Sequence, residues 1–307
     1  VKDVMKKVAD WQIAHQKDVK HGALDWTNAA LYMGMLDWAE LAETEMGDAS
    51  YYDWLVKLGR RYGWQPDKRM YHADDIAVGQ VFIDLYNKYI DKNMLYPTQA
   101  RAEWVVNHPS DGPMDLDYKK RETLERWTWC DALYMAPPVY VKLYMLTGDK
   151  RFIKFMNKEY KATYDLLFDK DERLFYRDSR YLTQKEANGA KVFWGRGNGW
   201  VLGGLAEMLQ DFPKNDKNRK FYEELFVTLS ARVAELQSAD GFWHASMLDP
   251  ASYPSPETSA TGFIVYALAY GVNEGLLDKD TYLPIVEKGW KALVSAVETD
   301  GKLGYVQ

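Results

Sequence analysis

Five segments of this chain open alike. WTNAALYMGML starts at Trp26, ADDIAVGQVF at Ala73, WCDALYMAP at Trp129, GNGWVLGGLAEML at Gly197 and ETSATGFIVYAL at Glu257. Each begins with polar or aromatic residues and continues with Ala, Gly, Met and Leu. The starts recur every ~50–65 residues, the scale of an internal structural repeat. Between them lie amphipathic runs such as KFYEELFVTLSARVAELQ, with one face suited to water. The alternation predicts small-residue helices buried on all sides, amphipathic helices wrapped around them, and polar starts gathered at one end. A double-ringed all-α barrel satisfies all three. The helix N-termini then aim partial positive charge at a shared mouth, which suits an anionic ligand.

Periodicity predicts eleven helices and no convincing strand. Three of them, expected over 74–89, 98–107 and 130–146, carry the argument below. Thr27, Asp74 and Thr258 are the expected N-caps, and Pro137-Pro138 predicts a kink or break in the sixth helix. The eleventh helix, over 279–297, has no inner partner before the chain stops at DGKLGYVQ, so the barrel is expected to lack its last inner helix. No linker interrupts the chain. PASYPSPETS, 250–259, reads as a loop at the mouth, and a single domain over 1–307 is expected.

Charge and composition remove several function classes. A net charge of −6 opposes nucleic-acid binding, which needs a basic face. No apolar run approaches the ~20 residues of a membrane span. The five histidines have no metal-ligand spacing, and no metal is expected. The one cysteine, Cys130, says little about compartment; both the periplasm and the cytoplasm of a bacterium stay open, as does the choice between monomer and weak homo-oligomer. Twelve Trp and 22 Tyr are enough for a large helical core and for a few faces that stack on sugar rings.

Within the aligned starts the carboxylates come first. Asp131 sits in apolar WTWCDALYMAPP, where partial desolvation would raise its pKa into the range of a proton donor. The plainer reading is an N-cap. Asp74 and Asp75 are adjacent; if Asp74 caps its helix, Asp75 is free to point elsewhere, and paired acids on separate helices are the equipment of glycosidic chemistry. His72 is placed to orient one of them. KVFWGRGNGWV, 191–201, has G-x-G-x-G spacing and no parallel-sheet unit around it, so it is no dinucleotide loop. Arg196 there is suited to clamp a carboxylate, and Trp194 and Trp200 offer flat faces. Core tryptophans in a tight turn are the structural alternative, and Trp26 and Trp129 share the ambiguity.

DWTNAALYMGM, HADDIAVGQ, WCDALYMAPP, FWGRGNGWV and PETSATGFIVYALAYGV, in that order, resemble the unsaturated glycuronyl hydrolases of glycoside hydrolase family 105, with family 88 the nearest relative. The resemblance runs over nearly the whole chain and implies an (α/α)6 barrel. It implies hydration of the C4=C5 vinyl ether that polysaccharide lyases leave at a nonreducing end: an Asp protonates C4, water adds at C5, and the hemiketal collapses to release the next sugar. No cofactor is implied, and the partner is an anionic oligosaccharide, of the pectic rhamnogalacturonan type in the usual case. By motif Asp131 matches the general acid/base and Asp75 the second carboxylate, with Asp74 its alternative. Trp26, Trp129, Trp194, Arg196 and Trp200 fall on substrate-contacting positions, and His72, Asp74, Arg177 and Asn198 join them as candidates. One departure stands out. Where a histidine is expected, this chain has LFYRDSRYLTQKEANG, with Arg177, Arg180 or Lys185 as replacements, which leaves room for a modified uronide. Two other readings remain: an inverting glycosidase on a saturated uronide, and a non-catalytic glycan- or partner-binding toroid.

Overall fold

The computed structural model covers residues 1–307. Its helices, in chain order, are α1 (Lys2–His15), α2 (Trp26–Met46), α3 (Ser50–Arg61), α4 (Ala73–Ile76), α5 (Gly79–Tyr89), α6 (Lys92–Asn107) and α7 (Ala132–Met135). They continue with α8 (Pro137–Thr147), α9 (Lys150–Leu167), α10 (Gly195–Asp211), α11 (Arg219–Glu235), α12 (Thr258–Asn273) and α13 (Lys279–Ser295). One short antiparallel pair, β1 (Phe168–Asp169) and β2 (Leu174–Phe175), follows α9.

The expected double ring is the architecture. α2, α4–α5, α7–α8, α10 and α12 form the inner ring, with α5 on α2, α8 on α5, α10 on α7 and α8, and α12 on α10. α1, α3, α6, α9, α11 and α13 lie outside. Burial separates the rings: α10 buries 13 of its 17 residues, whereas α13 buries only Gly289 and Ala292. An apolar groove of ≈ 630 Å³ separates α1 and α2 from α12 and α13, lined by Met5, Leu31, Met35, Trp290 and Leu293. Elsewhere 67 buried residues make one continuous core.

The small residues of α10 are there for space. A Cβ on Gly204 would fall 2.4 Å from the Leu133 carbonyl oxygen and 2.7 Å from the Tyr134 Cα, so α10 lies directly against α7. That contact fixes the distance between two helix starts that carry site residues.

Helix boundaries correct the expectations in instructive places. The helix expected over 130–146 breaks at Ala136, and Pro137 becomes the first residue of α8, where its missing N–H costs nothing. The helix expected over 74–89 is broken between Ile76 and Gly79. α6 starts six residues before Thr98 and carries Pro97 within it. All three expected caps lie inside their helices. Asp25 accepts from the Thr27 N–H at 3.1 Å, the His72 ring from the Asp74 N–H at 3.3 Å, and Glu257 from the Ser259 and Ala260 amides at 2.8 and 2.7 Å.

Candidate active site

The starts of the inner helices meet around two connected cavities. The smaller, ≈ 250 Å³, is walled by Asp131, Arg177, Tyr181, Trp194, Arg196 and Gly197. The larger, ≈ 450 Å³, shares Arg196 and runs past Trp26 and Thr27 to Thr258, Ser259 and Phe263. α2, α7, α10 and α12 therefore contribute their first residues to one mouth. No cluster of three or more His, Cys, Asp or Glu residues suited to a metal ion is present, and no helix is long and apolar enough to cross a membrane.

Asp131 occupies the N-cap position of α7, yet its side chain takes no helix amide. Its Oδ1 accepts from the Cys130 thiol at 3.2 Å. Burial raises its pKa, opposed by the Arg177 guanidinium, the thiol and Arg196. Asp74, on α4, approaches from the next inner helix. Burial and then the Asp131 carboxylate push its pKa up to about 8, with Arg69 opposing, and its Oδ1 has no hydrogen-bond partner. Burial thus raises both carboxyls; at Asp131 two guanidiniums and a thiol oppose it, whereas at Asp74 Arg69 opposes it against the added charge of Asp131.

Asp75 takes the opposite place from the one expected. It is 3 % exposed; its Oδ2 accepts from the Arg69 backbone N–H at 2.7 Å, and its Oδ1 from the Arg69 guanidinium. Both oxygens are occupied in holding the Arg69 turn, so Asp74 is the carboxyl that faces Asp131. His72 is buried against Trp129, ring centroids 4.8 Å apart, and its Nδ1 caps α4. Its pKa is pushed down to about 4 by burial and the nearby Arg69, so at neutral pH it is an uncharged acceptor. It orients the Asp74 backbone.

The tryptophans divide. Trp194 lies on the wall of the smaller cavity between Tyr181 and Tyr253, centroids 6.4 and 6.1 Å away, with its indole N–H unpartnered. Trp26 lies on the wall of the larger one. Trp200, expected to stack on ligand, is 2 % exposed and packs on Phe263 at 4.1 Å and Tyr134 at 4.7 Å; it borders the larger cavity but leaves almost no face free for a ligand. Trp129, 6 % exposed behind His72, likewise offers no free face. Asn198 is wholly buried: it accepts from the Phe175 N–H at 2.8 Å and donates to the Phe175 and Trp194 carbonyls. It fastens β2 to α10, which removes it from the substrate-binding candidates.

Arg177 reaches the small cavity with its guanidinium on the Tyr118 hydroxyl at 3.0 Å and on Asp178 at 2.9 Å. Arg180 donates to both oxygens of the same buried Asp178 and lies over the Tyr118 ring at 4.4 Å. Lys185 is exposed on the loop beyond. Of the three replacements considered for the histidine, Arg177 faces Asp131. Tyr118 and Tyr181 had no signal in the sequence. Tyr118 sits in a turn and Tyr181 ends a 3-10 turn, Ser179–Tyr181, and only long-range folding brings them here.

Residues 4–307 match the sequence profile of Glycosyl Hydrolase Family 88. An unsaturated 3S-rhamnoglycuronyl hydrolase of Formosa agariphila is 39% identical, covering 99% of this chain and 81% of its own length. Another of that name, from Alteromonas sp., is 32% identical, covering 100% and 78%. A solved chain described as a polysaccharide lyase superposes with a TM-score of 0.89 at 33% identity, covering 100% and 86%.

Proposed function

The chain belongs to Glycosyl Hydrolase Family 88 and is a glycoside hydrolase, and on that premise we propose that it removes a 4,5-unsaturated uronic acid from lyase-generated oligosaccharides, with Asp131 as general acid/base. The observation that carries the reading is the pairing of Asp131 with the raised carboxyl of Asp74, beside an Arg196 on the cavity wall that makes no salt bridge. The two relatives named for rhamnoglycuronyl substrates favour such an oligosaccharide over the pectic rhamnogalacturonan type.

Without substrate, burial raises both carboxyls, Asp74 to about 8, so Asp74 holds a proton at neutral pH, while Arg177, Cys130 and Arg196 oppose the rise at Asp131. A substrate carboxylate on Arg196 withdraws one of those cations from Asp131. Its proton affinity then rises when a proton is needed, because opposite charges nearby are what lower a carboxyl pKa. Asp131 delivers the proton to C4. As the carboxylate it next takes a proton from the water adding at C5, and the hemiketal opens to release the neighbouring sugar. Trp194 supplies an apolar wall, and its free N–H is a donor for a sugar hydroxyl.

The test follows the ultraviolet absorbance of the unsaturated uronide with rhamnoglycuronyl and pectic digests. Absorbance should fall with the wild type, and kcat/KM should drop by ~10²–10⁴ in Asp131→Asn. A second reading comes from the structural neighbour described as a lyase: a base would remove the C5 proton and create the double bond. Rising absorbance on an intact polysaccharide would establish it and overturn the hydrolase. The proposed unit is the single domain 1–307, acting as a monomer or weak homo-oligomer; a stable dimer in sedimentation velocity would overturn the latter.

A further inference from the structure

We propose that the Cys130 thiol is a positioning residue for Asp131: it holds Oδ1 by a hydrogen bond and leaves Oδ2 toward the cavity. The inference rests on the reading of Asp131 as the acid. Three observations place the thiol. Sγ lies 3.2 Å from Oδ1, and no other side chain donates to Asp131, whose own backbone N–H is the one further donor beside the carboxylate. Cys130 is wholly buried, and its N–H donates to the Arg177 carbonyl at 2.8 Å, which fixes the backbone from which the thiol projects. On the far side, a Cβ on Gly197 would lie 3.1 Å from Sγ. The middle glycine of GRGNG therefore clears space for the thiol beside the acid.

The direction of the bond follows from the surroundings. Burial and then the adjacent Asp131 carboxylate raise the thiol pKa, so it stays protonated and donates. A donor on a carboxylate favours the charged form. Facing Asp131 as well are Arg177, Arg196 of α10 and Asp74 of α4, with His72 and the Arg69–Asp75 pair behind Asp74. None of them reaches Oδ1 within hydrogen-bonding distance. Among the side chains only the thiol touches that oxygen, while the others set the field.

A group that only filled space would move activity without moving the proton. Cys130→Ala should shift the basic limb of kcat/KM upward by about half to one pH unit, because a donor to the carboxylate is gone, and should lower kcat several-fold. Cys130→Ser, a stronger donor, should shift that limb downward and retain more of kcat. Superimposable limbs in wild type, Ala and Ser, with matched circular dichroism, would overturn the proposal. The bond itself is read without turnover, and so without dependence on a folded Ala variant. This chain has a single thiol, so its S–H stretching band is unambiguous. The band should move to higher frequency in Asp131→Ala; an unmoved band would sink the proposal. If Asp131→Asn kept full activity while the band moved in Asp131→Ala, the hydrogen bond would stand and the catalytic reading would fall.

Discussion

Halfway along α8, Lys142 donates to Asp84 of α5 at 2.9 Å and to Asp211 of α10 at 2.7 Å; at the start of α10, Arg196 makes no salt bridge and acts on Asp131 and Glu257 only through its field. Both cations sit inside the double ring. Burial works against the charge on Lys142, but its two carboxylates more than offset it. Three charges there satisfy one another and bind three inner helices together. At the mouth the demands are left open: Arg196 is unpaired, the buried Asp74 Oδ1 has no donor, and the Trp194 N–H has no acceptor. Buried polar groups are normally satisfied, and the exceptions need an explanation. The comparison separates a cluster that serves the fold from one that awaits a ligand.

The sharpest way to break that distinction is Lys142→Met. Two carboxylates would lose their common partner, at a cost of about 3 kcal/mol in unfolding free energy, the low end for buried pairs because Asp211 reaches solvent. The folded variant should keep its kcat/KM. Chemical denaturation and initial rates measure both. A variant of unchanged stability but lost turnover would move Lys142 into the site.

Asp74→Asn probes the other side. In the folded protein Asp74 has a pKa of about 8, against an ordinary carboxylate value in the unfolded chain. Between those values the native state holds a proton that the unfolded state has lost, so wild-type stability declines as pH rises through that window. Asparagine removes the decline. Relative to wild type the variant should gain roughly 2 kcal/mol between pH 5 and pH 7.5, less than the full linkage value because Asp131 retitrates with it. Parallel stability–pH curves would show that Asp74 is not desolvated, and the mouth would lose half of its contrast with the Lys142 cluster.

How much of this was legible in the sequence depended on whether the signal was local. The inner helices were visible because small-residue runs such as WVLGGLAEML cannot be made amphipathic, and α10 buries on all sides as a result. The break before Pro137 was legible for the same local reason. The break after Ile76 had no such mark, and the helix expected from Thr98 begins at Lys92, with Pro97 inside it. Within the site, Asp131 and Arg196 stood out as charges in apolar or aromatic surroundings. Asp74 and Asp75 could not be separated, because adjacency says nothing about which one Arg69 clamps. Trp194 and Trp200 look alike in sequence, and only the packing of Phe263 and Tyr134 covers the faces of Trp200 where it borders the larger cavity. Asn198 read as a site residue because its neighbours are; its partner, Phe175, is 23 positions away.

The smallest effect tests the comparison most directly. Arg196→Gln takes away a cation with no ion pair to break, so the unfolding free energy should stay within a few tenths of a kcal/mol of wild type. Its contribution appears only when an anionic ligand arrives. A charged hydrogen bond to a substrate carboxylate is worth about 1.5–3 kcal/mol, so kcat/KM should fall by roughly ten- to a hundredfold, mostly through KM. The glutamine variant also removes one of the charges opposing protonation of Asp131 before substrate binds. The free enzyme's basic limb should then shift upward, while an uncharged methyl-ester substrate should lose little by the substitution. Equal losses on acid and ester would mean that Arg196 shapes the cavity without reading the carboxylate. A fall in stability would mean that its charge was satisfied all along, and the contrast with Lys142 would dissolve.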